Sequence, residues 1–359
     1  MRAGSVVLLL GLATPSFGLP FPLAVPEGFR IEVVSDQVDG ARFLAAAPNG
    51  DIIVSEISRG QVVAVRPGSP AGTPPRVVAR GLAKPNGLAF RGSDLYIATW
   101  SGIVVIPDYP RGIGSPRVLF NDMPRNGDHN ARALALAPDG SIYISSGSDC
   151  NVCRESDPRL ATILKYSADG TSGRIYASGL RNASGLAFDA QGRLWAVVNQ
   201  RDNLTPDHTD LPPEEVDLVQ EGGNYGWPTC YPVGSTRLAN PEFAGASCAG
   251  MLPTTFNLPA HTAPLQALFY DGRQFPARYR GALLVALHGS WNRDPPIGYK
   301  VVAVMFADGK PTAVEDLVGG WLTSSYSVRG RPVGLAVASD GSLYISDDTG
   351  YLFHVSYGG

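Results

Sequence analysis

The sequence predicts an all-β fold, a six-bladed β-propeller with four-stranded antiparallel blades around a central axis, and three observations predict it. First, one phrase recurs: an apolar alternating run, a Gly turn, and a second alternating run. It reads LAAAPNGDIIVSE at 44–56, LAFRGSDLYIAT at 88–99, LALAPDGSIYISSG at 134–147, LAFDAQGRLWAVV at 186–198 and LAVASDGSLYISDD at 335–348. Second, the turn glycines Gly50, Gly92, Gly140, Gly192 and Gly341 are separated by 42, 48, 52 and 149 residues. These are blade-like spacings, and the last gap has room for another blade. Third, Gly 42 and Pro 30 are high while charged residues are only 17%, a composition of many short strands joined by tight turns. A sandwich of eight or nine strands is the competing architecture; it leaves the periodicity unexplained.

Taken in order, the chain opens on MRAGSVVLLLGLATPSFGLP, where one Arg precedes the apolar stretch Val6 to Leu12 and small residues follow at Ser16 and Gly18. This pattern predicts a secretory signal peptide over residues 1–18, cut near Gly18, against the alternative of a buried N-terminal strand. Residues 19–359 are then one propeller domain of an exported protein, periplasmic or secreted. No other stretch approaches the ~20 apolar residues of a membrane span. Each phrase reads as strand, turn, strand. In LALAPDGSIYISS, Leu134 and Leu136 alternate before the Asp139-Gly140 turn, and Ile142 and Ile144 after it. The degraded phrase FPARYRGALLVALHG at 275–289 fills the long gap and makes the sixth unit. Residues 199–265 alternate little and are rich in Pro, Gly and aromatic residues, as in NYGWPTCYP at 224–232. They are expected to be loops that wall a site.

The chain has 359 residues, 44% of them hydrophobic, ample for a large core. A net charge of −3 without a basic run argues against nucleic acid and anionic membrane as partners. Four cysteines in an exported chain favour two disulfides. Proximity suggests Cys150–Cys153 and Cys230–Cys248, although three connectivities are possible. CNVC also admits redox chemistry, but Arg154 follows Cys153 where covalent haem attachment needs His. A four-Cys zinc site lacks its second CxxC.

The polar residues just ahead of each phrase suggest the site. Residues entering a blade's innermost strand lie on one face near the axis, so equivalent slots form a ring. The slots hold Asp39 and Arg42, Lys84, His129, Arg181 with Asn182, and Arg329 with Arg331. His129 is the natural general base, since imidazole titrates near neutrality; Asp128 or Asp149 is placed to orient it. Arg181, Arg329 and Arg331 repel one another unless carboxylates or a small polyanion lie among them. Glu214, Glu215 and Asp217 form a carboxylate cluster that is either a solvated face or a Ca²⁺ site. Asn182 and Asn203 head glycosylation sequons of little weight in a bacterial exported protein. Signatures of nucleophile-elbow hydrolases, P-loop NTPases, zincins and Rossmann dehydrogenases are missing.

From about Gly28 to Gly359 the chain resembles the glucose/sorbosone dehydrogenase family, six-bladed propellers that use pyrroloquinoline quinone (PQQ). The segments that carry the resemblance are GDHNARALALAPDGSIYISSGSDCNVCRESDP, GLRNASGLAFDAQGRLWAVVN and EEVDLVQEGGNYGWP, while HGSWNRDPPIGYKVV and CNVC are similar to the sorbosone branch. The resemblance implies that His129 takes the hydroxyl proton of an aldose or sorbosone-like sugar while hydride passes to the quinone. Arg181 stabilises charge at the quinone oxygen, Asn182 binds the cofactor, Arg329 and Arg331 grip its carboxylates, and Asn199 lies close to quinone and substrate. It also implies Ca²⁺ held by the backbone carbonyls of Gln200 and Arg201, where the family usually has Gly-Pro. A second, structural Ca²⁺ is implied at Glu215 and the Tyr225 carbonyl. Where glucose dehydrogenases have a cofactor-binding Lys, this chain has His288, with Arg293 nearby. With no CxxCH after the propeller, electrons are expected to leave to a separate acceptor, a cytochrome or a quinone, from a monomer or homodimer. A metal-dependent lactonase and a non-catalytic carbohydrate-binding propeller are the competing functions.

Overall fold

A computed structural model describes residues 18–70, 72–125, 127–204 and 209–358. The expected signal peptide lies, but for Gly18, outside the described residues. Six four-stranded antiparallel sheets make up the architecture. Blade one is β2 (Ala41–Ala46), β3 (Ile52–Glu56), β4 (Gln61–Val65) and β5 (Arg76–Ala79). Blade two is β6 (Leu88–Arg91), β7 (Asp94–Thr99), β8 (Gly102–Ile106) and β9 (Arg117–Phe120). Blade three is β10 (Leu134–Leu136), β11 (Ile142–Ser146), β12 (Thr162–Tyr166) and β13 (Gly173–Ser178). Blade four is β14 (Asn182–Phe188), β15 (Leu194–Asn199), β16 (Glu214–Leu218) and β19 (Phe256–Leu258), with a separate hairpin of β17 (Cys230–Val233) and β18 (Thr236–Ala239) between its last two strands. Blade five is β20 (Pro264–Phe269), β21 (Leu283–Leu287), β22 (Lys300–Ala307) and β23 (Lys310–Val318). Blade six is β24 (Pro332–Val337), β25 (Leu343–Asp347) and β26 (Leu352–Tyr357), completed on its outer edge by the N-terminal β1 (Phe29–Ser35).

The innermost strands touch in the order β2, β6, β10, β14, β20, β24 and back to β2, which closes the ring. The phrase produces this arrangement as its pattern requires. Leu134 pairs with Ile144 and Leu136 with Ile142 across the predicted turn, and in the matching turns of blades one and six Gly50 and Gly341 take φ +85° and +86°, which only glycine adopts without strain. Six apolar clusters lie between neighbouring blades. Each blade therefore buries both faces, and its strands read as apolar runs rather than as strict alternation. Close approach at the axis is enforced by small residues. A Cβ at Gly334 of blade six would collide with the Arg42 carbonyl of blade one and come within 2.6 Å of Ser346 Oγ. Gln266 of blade five then stitches three blades together: its Oε1 accepts from Leu44 N at 2.8 Å and Leu335 N at 2.9 Å, and its Nε2 donates to Leu44 O at 2.9 Å.

Two expectations need correction. The phrase at 275–289 is not a full strand–turn–strand unit: blade five begins upstream, at β20, and 275–289 holds a single 3-10 turn (Ala277–Tyr279) and β21. Its turn is lengthened by aromatic residues that dock on blade six, with Tyr270 stacked on Phe275 at 4.6 Å and Tyr270 Oη donating to Gly341 O at 2.7 Å. Residues 199–265 are likewise not all loop, since β16 and β19 are blade four's own outer strands. Both expected disulfides are formed, Cys150–Cys153 and Cys230–Cys248. Among the described residues no helix is long and apolar enough to cross a membrane.

Candidate active site

An inner strand crosses from one face of the propeller to the other, and the second strand returns. Residues entering inner strands and residues leaving second strands therefore meet on one face, around the axis. The slots ahead of the phrases and the segments after β7, β11, β15, β21 and β25 share that face.

Blade three contributes His129. Its Nδ1 lies 3.0 Å from the Ser148 carbonyl and 2.9 Å from Ser148 Oγ. A carbonyl only accepts, so Nδ1 carries the proton and Nε2 keeps its lone pair. Burial, and next the charge of Arg181, push the imidazole pKa down to about 4, while the Ser148 carbonyl, Asp128 and Asp202 pull it upward. His129 is thus neutral and proton-accepting at neutral pH. The sequence pointed to Asp128 or Asp149 as the orienting group; the hydrogen bonds come from Ser148, and Asp128 acts through its charge. Gly147 brings blade four close, since a Cβ there would collide with His129 Cβ and lie 3.2 Å from Asn182 Oδ1.

Blade four contributes Arg181, Asn182 and Asn199. Asn182 faces Asn199 across β14 and β15, and Asn199 Nδ2 donates to Pro264 O at 2.6 Å. Arg181 is buried, 4% exposed. Its Nε donates to Asn151 O at 3.1 Å, one terminal nitrogen to Gln200 O at 2.7 Å, and the other to Asn151 Oδ1 at 3.0 Å, with Asp202 Oδ2 at 3.4 Å. Burial lowers its pKa, and Asp202 and Glu214 oppose that. Behind it, Asp202 Oδ1 lies 3.6 Å from His261 Nδ1. Burial alone would raise the Asp202 carboxyl; His261 and Arg181 outweigh it and hold the group below the usual carboxylate range.

Blades five, six and one contribute His288, Arg331, Asp348 and Arg42. His288 Nε2 is 3.2 Å from Asp348 Oδ2. Burial lowers the His288 pKa; the Asp348 bond opposes this, and Arg42 and Arg331 reinforce it, so these four groups share one neighbourhood. Arg331 lies over the Tyr299 ring at 4.9 Å and donates to Gly289 O at 3.1 Å. Arg42 is half-buried. Its Nε is buried and finds no acceptor among the described residues, as is also true of Arg293 Nε. Burial lowers its pKa, with Asp348 partly offsetting. Arg329 is exposed at the rim. Arg293 turns away, to Asp210 at 2.8 Å and Ala260 O at 3.2 Å. Blade two adds Trp100, whose ring lies under Lys84 at 5.2 Å and Arg125 at 5.9 Å.

The carboxylate cluster is not a solvated face: Glu214, Glu215 and Asp217 are buried under the blade-four insertion. Glu215 pairs with Arg237 at 2.6 Å and accepts from Gln200 and Thr254. Burial raises Glu214 to about 7, against the opposing N–H bonds from Gln200 and Ala263. Tyr225 is buried, its hydroxyl donating to Leu218 O at 2.7 Å. Arg201, beside Gln200, has its side chain drawn to Glu242 at 2.6 Å and Asn240 at 2.9 Å. Sequence reading missed Ser148, Asn151, Asp202, His261 and Asp348. All but His261 follow second strands, which were read only as the second halves of the phrases, and the slot pattern does not reach them.

The chain is similar to known proteins over most of its length. A pyrroloquinoline quinone-dependent pyranose dehydrogenase of Coprinopsis cinerea is 28% identical over 402 residues, covering 92% of this chain and 54% of that protein. The chain thus spans about half the length of that relative. The holo form of the PQQ domain of pyranose dehydrogenase from Coprinopsis cinerea superposes with a TM-score of 0.80 at 25% identity, covering 94% of this chain and 97% of the domain. The calcium structure of a Trichoderma reesei carbohydrate-active enzyme of family AA12 superposes with a TM-score of 0.81 at 22% identity, over 96% of this chain and all 100% of that one, and shares the fold. The TrAA12-like family model matches residues 23–358, and the chain belongs to the TrAA12-like family.

Proposed function

We propose that this protein is a PQQ-dependent sugar dehydrogenase that oxidises an aldose or sorbosone-like sugar and passes electrons to a separate acceptor. The observation that carries the reading is Arg42, a half-buried cation whose buried Nε has no acceptor among the described residues, beside Arg331, His288 and the Asp348 carboxylate. An unmet buried donor on a cation is costly, and a small polyanion fits that deficit. PQQ carries three carboxylates, and Arg42, Arg331 and His288, with Asn182 and Asn199 across the axis, would hold it. The Coprinopsis cinerea relative, a PQQ-dependent pyranose dehydrogenase, supports the same group. When bound, PQQ supplies an ortho-quinone that accepts hydride.

The chain's own residues do the rest. His129 Nε2 takes the hydroxyl proton of the sugar carbon being oxidised, with Ser148 holding the ring and its tautomer. Arg181 supplies a buried positive charge fixed by Asn151, Gln200 and Asp202, so it favours developing negative charge without reorganising. A calcium ion would take the carbonyls of Gln200 and Arg201. The Arg201 side chain does not oppose it, being paired with Glu242, and one lone pair of the Gln200 carbonyl remains beside the one Arg181 uses. We assign no ion to Glu215 and Tyr225, because the Glu215 oxygens are engaged by Arg237, Gln200 and Thr254. Two disulfides and the N-terminal apolar stretch support an exported protein.

The test is reconstitution: purified protein with PQQ and Ca²⁺, with dye reduction followed for glucose, arabinose and sorbosone. Turnover is expected with at least one sugar and is lost in His129→Ala while PQQ still binds. Hydrolysis of a lactone with no sugar oxidation overturns the reading.

A further inference from the structure

The CNVC segment, noted in the sequence for its cysteines, acquires a role from one of the two residues between them. Asn151 touches Arg181 twice. Its carbonyl accepts from Arg181 Nε at 3.1 Å and its Oδ1 from the terminal nitrogen at 3.0 Å. The same Oδ1 accepts from Asp202 N at 2.9 Å, and Nδ2 donates to Asp202 O at 2.9 Å. Asn151 therefore also places the carboxylate that faces Arg181 at 3.4 Å. Its carbonyl is further fixed by Trp227 Nε1 at 3.1 Å. On the other side of the bridge, the Cys150 carbonyl accepts from Ser148 Oγ at 2.8 Å, the hydroxyl that contacts His129. One short loop thus meets both the base and its neighbouring cation.

That loop joins β11 to β12 and has no ladder of its own. Ordering a free loop costs conformational entropy at every residue, and a cross-link removes part of that freedom in advance. The Cys150–Cys153 bridge spans the residue whose two acceptors Arg181 uses. We propose that Asn151, pinned by the Cys150–Cys153 disulfide, is the positioning residue that holds Arg181 against His129 and the axial site. The proposal rests on the dehydrogenase reading for its kinetic consequence, but not for its geometry.

His129 provides a readout that does not need the cofactor. The groups acting on it are Arg181, which depresses its titration, and Asp128, Asp202 and the Ser148 carbonyl, which raise it. If Arg181 leaves its place, the depressing charge goes with it. The experiment is proton NMR titration of the histidines in cofactor-free protein. There are only five, and His129→Gln assigns the signal. Asn151→Ala is expected to raise the His129 midpoint by about half to one unit, and the Cys150→Ser/Cys153→Ser pair to move it in the same direction. After reconstitution with PQQ, Asn151→Ala is expected to lower kcat about 10–100-fold with KM within about threefold. Asn151→Asp, which keeps the acceptor, is expected to recover kcat to within about fivefold of wild type. A wild-type midpoint and kcat in Asn151→Ala overturns the proposal, as does lower thermal stability and activity with no change of midpoint. A moved midpoint in a protein that oxidises no sugar supports the positioning role and removes the dehydrogenase reading instead.

Discussion

Replacing Arg42 with Met should make the cofactor-free protein more stable and the cofactor bind worse. Arg42 stands on the innermost strand of blade one, and its buried Nε finds no acceptor among the described residues. A buried donor left unmet costs about 1–3 kcal/mol, and Met fills similar space without it. Part of the gain is returned, because Asp348 loses a favourable charge. For a chain of this length each kcal/mol moves the unfolding midpoint by about 1–1.5 °C, so a rise of roughly 1–4 °C is expected without cofactor. A hydrogen bond from a cation to a carboxylate is worth about 1.5–3 kcal/mol, so PQQ should bind some 10–150-fold more weakly. Thermal unfolding of cofactor-free protein and a fluorescence titration with PQQ measure the two effects. The opposite signs are the point. A variant that is less stable than wild type and binds PQQ equally well refutes the argument that Arg42 awaits an anion.

Other consequences are as direct. His129 titrates near 4 when folded and near 6.5 in an unfolded chain. Between those values the unfolded state binds the extra proton, so stability falls as pH drops from about 6.5 towards 4 and is level above it. Urea unfolding at pH 7.5 and pH 5 should show a larger loss in wild type than in His129→Gln; equal losses would remove His129 as the source. Arg237→Ala leaves Glu215 buried without its partner, next to Asp217, whose carboxyl burial and then Glu215 already push upward. A loss of about 3–5 kcal/mol is expected in denaturant unfolding, and a loss under about 1 kcal/mol would show that the pair contributes little.

The propeller was legible because its repeat is physical. Turn glycines and paired apolar runs recur wherever two inner strands must pack against neighbouring blades. Blade five blurred because aromatic residues lengthen its first turn and hide β20 from the pattern. The slot rule groups His129, Arg181 and Arg331 because entry into an inner strand is a topological position. It overstated Arg329, whose neighbouring position brings the side chain out to solvent. It passed over Arg42 as a site residue, because nothing in a sequence shows which guanidinium nitrogen will be buried without an acceptor. Ser148, Asn151 and Asp202 were out of reach for a different reason: they act through hydrogen bonds between separate loops, and spacing carries no record of those.

Blade six joins residues 29–35 to residues 352–357 in one sheet, and the Ser346 Oγ to Arg42 O bond crosses the same joint. Contacts so distant in sequence form late and slowly, so the ring is a clasp that closes only once nearly the whole chain is in place. Arg42 lies on one side of the clasp, Arg331 and Asp348 on the other. An anion held between them would resist opening at the joint, by about 2.7 kcal/mol at a hundredfold excess over its Kd. Loading the site and locking the ring would then be a single event, and a protein stripped of that anion would come apart first along the line between its two ends.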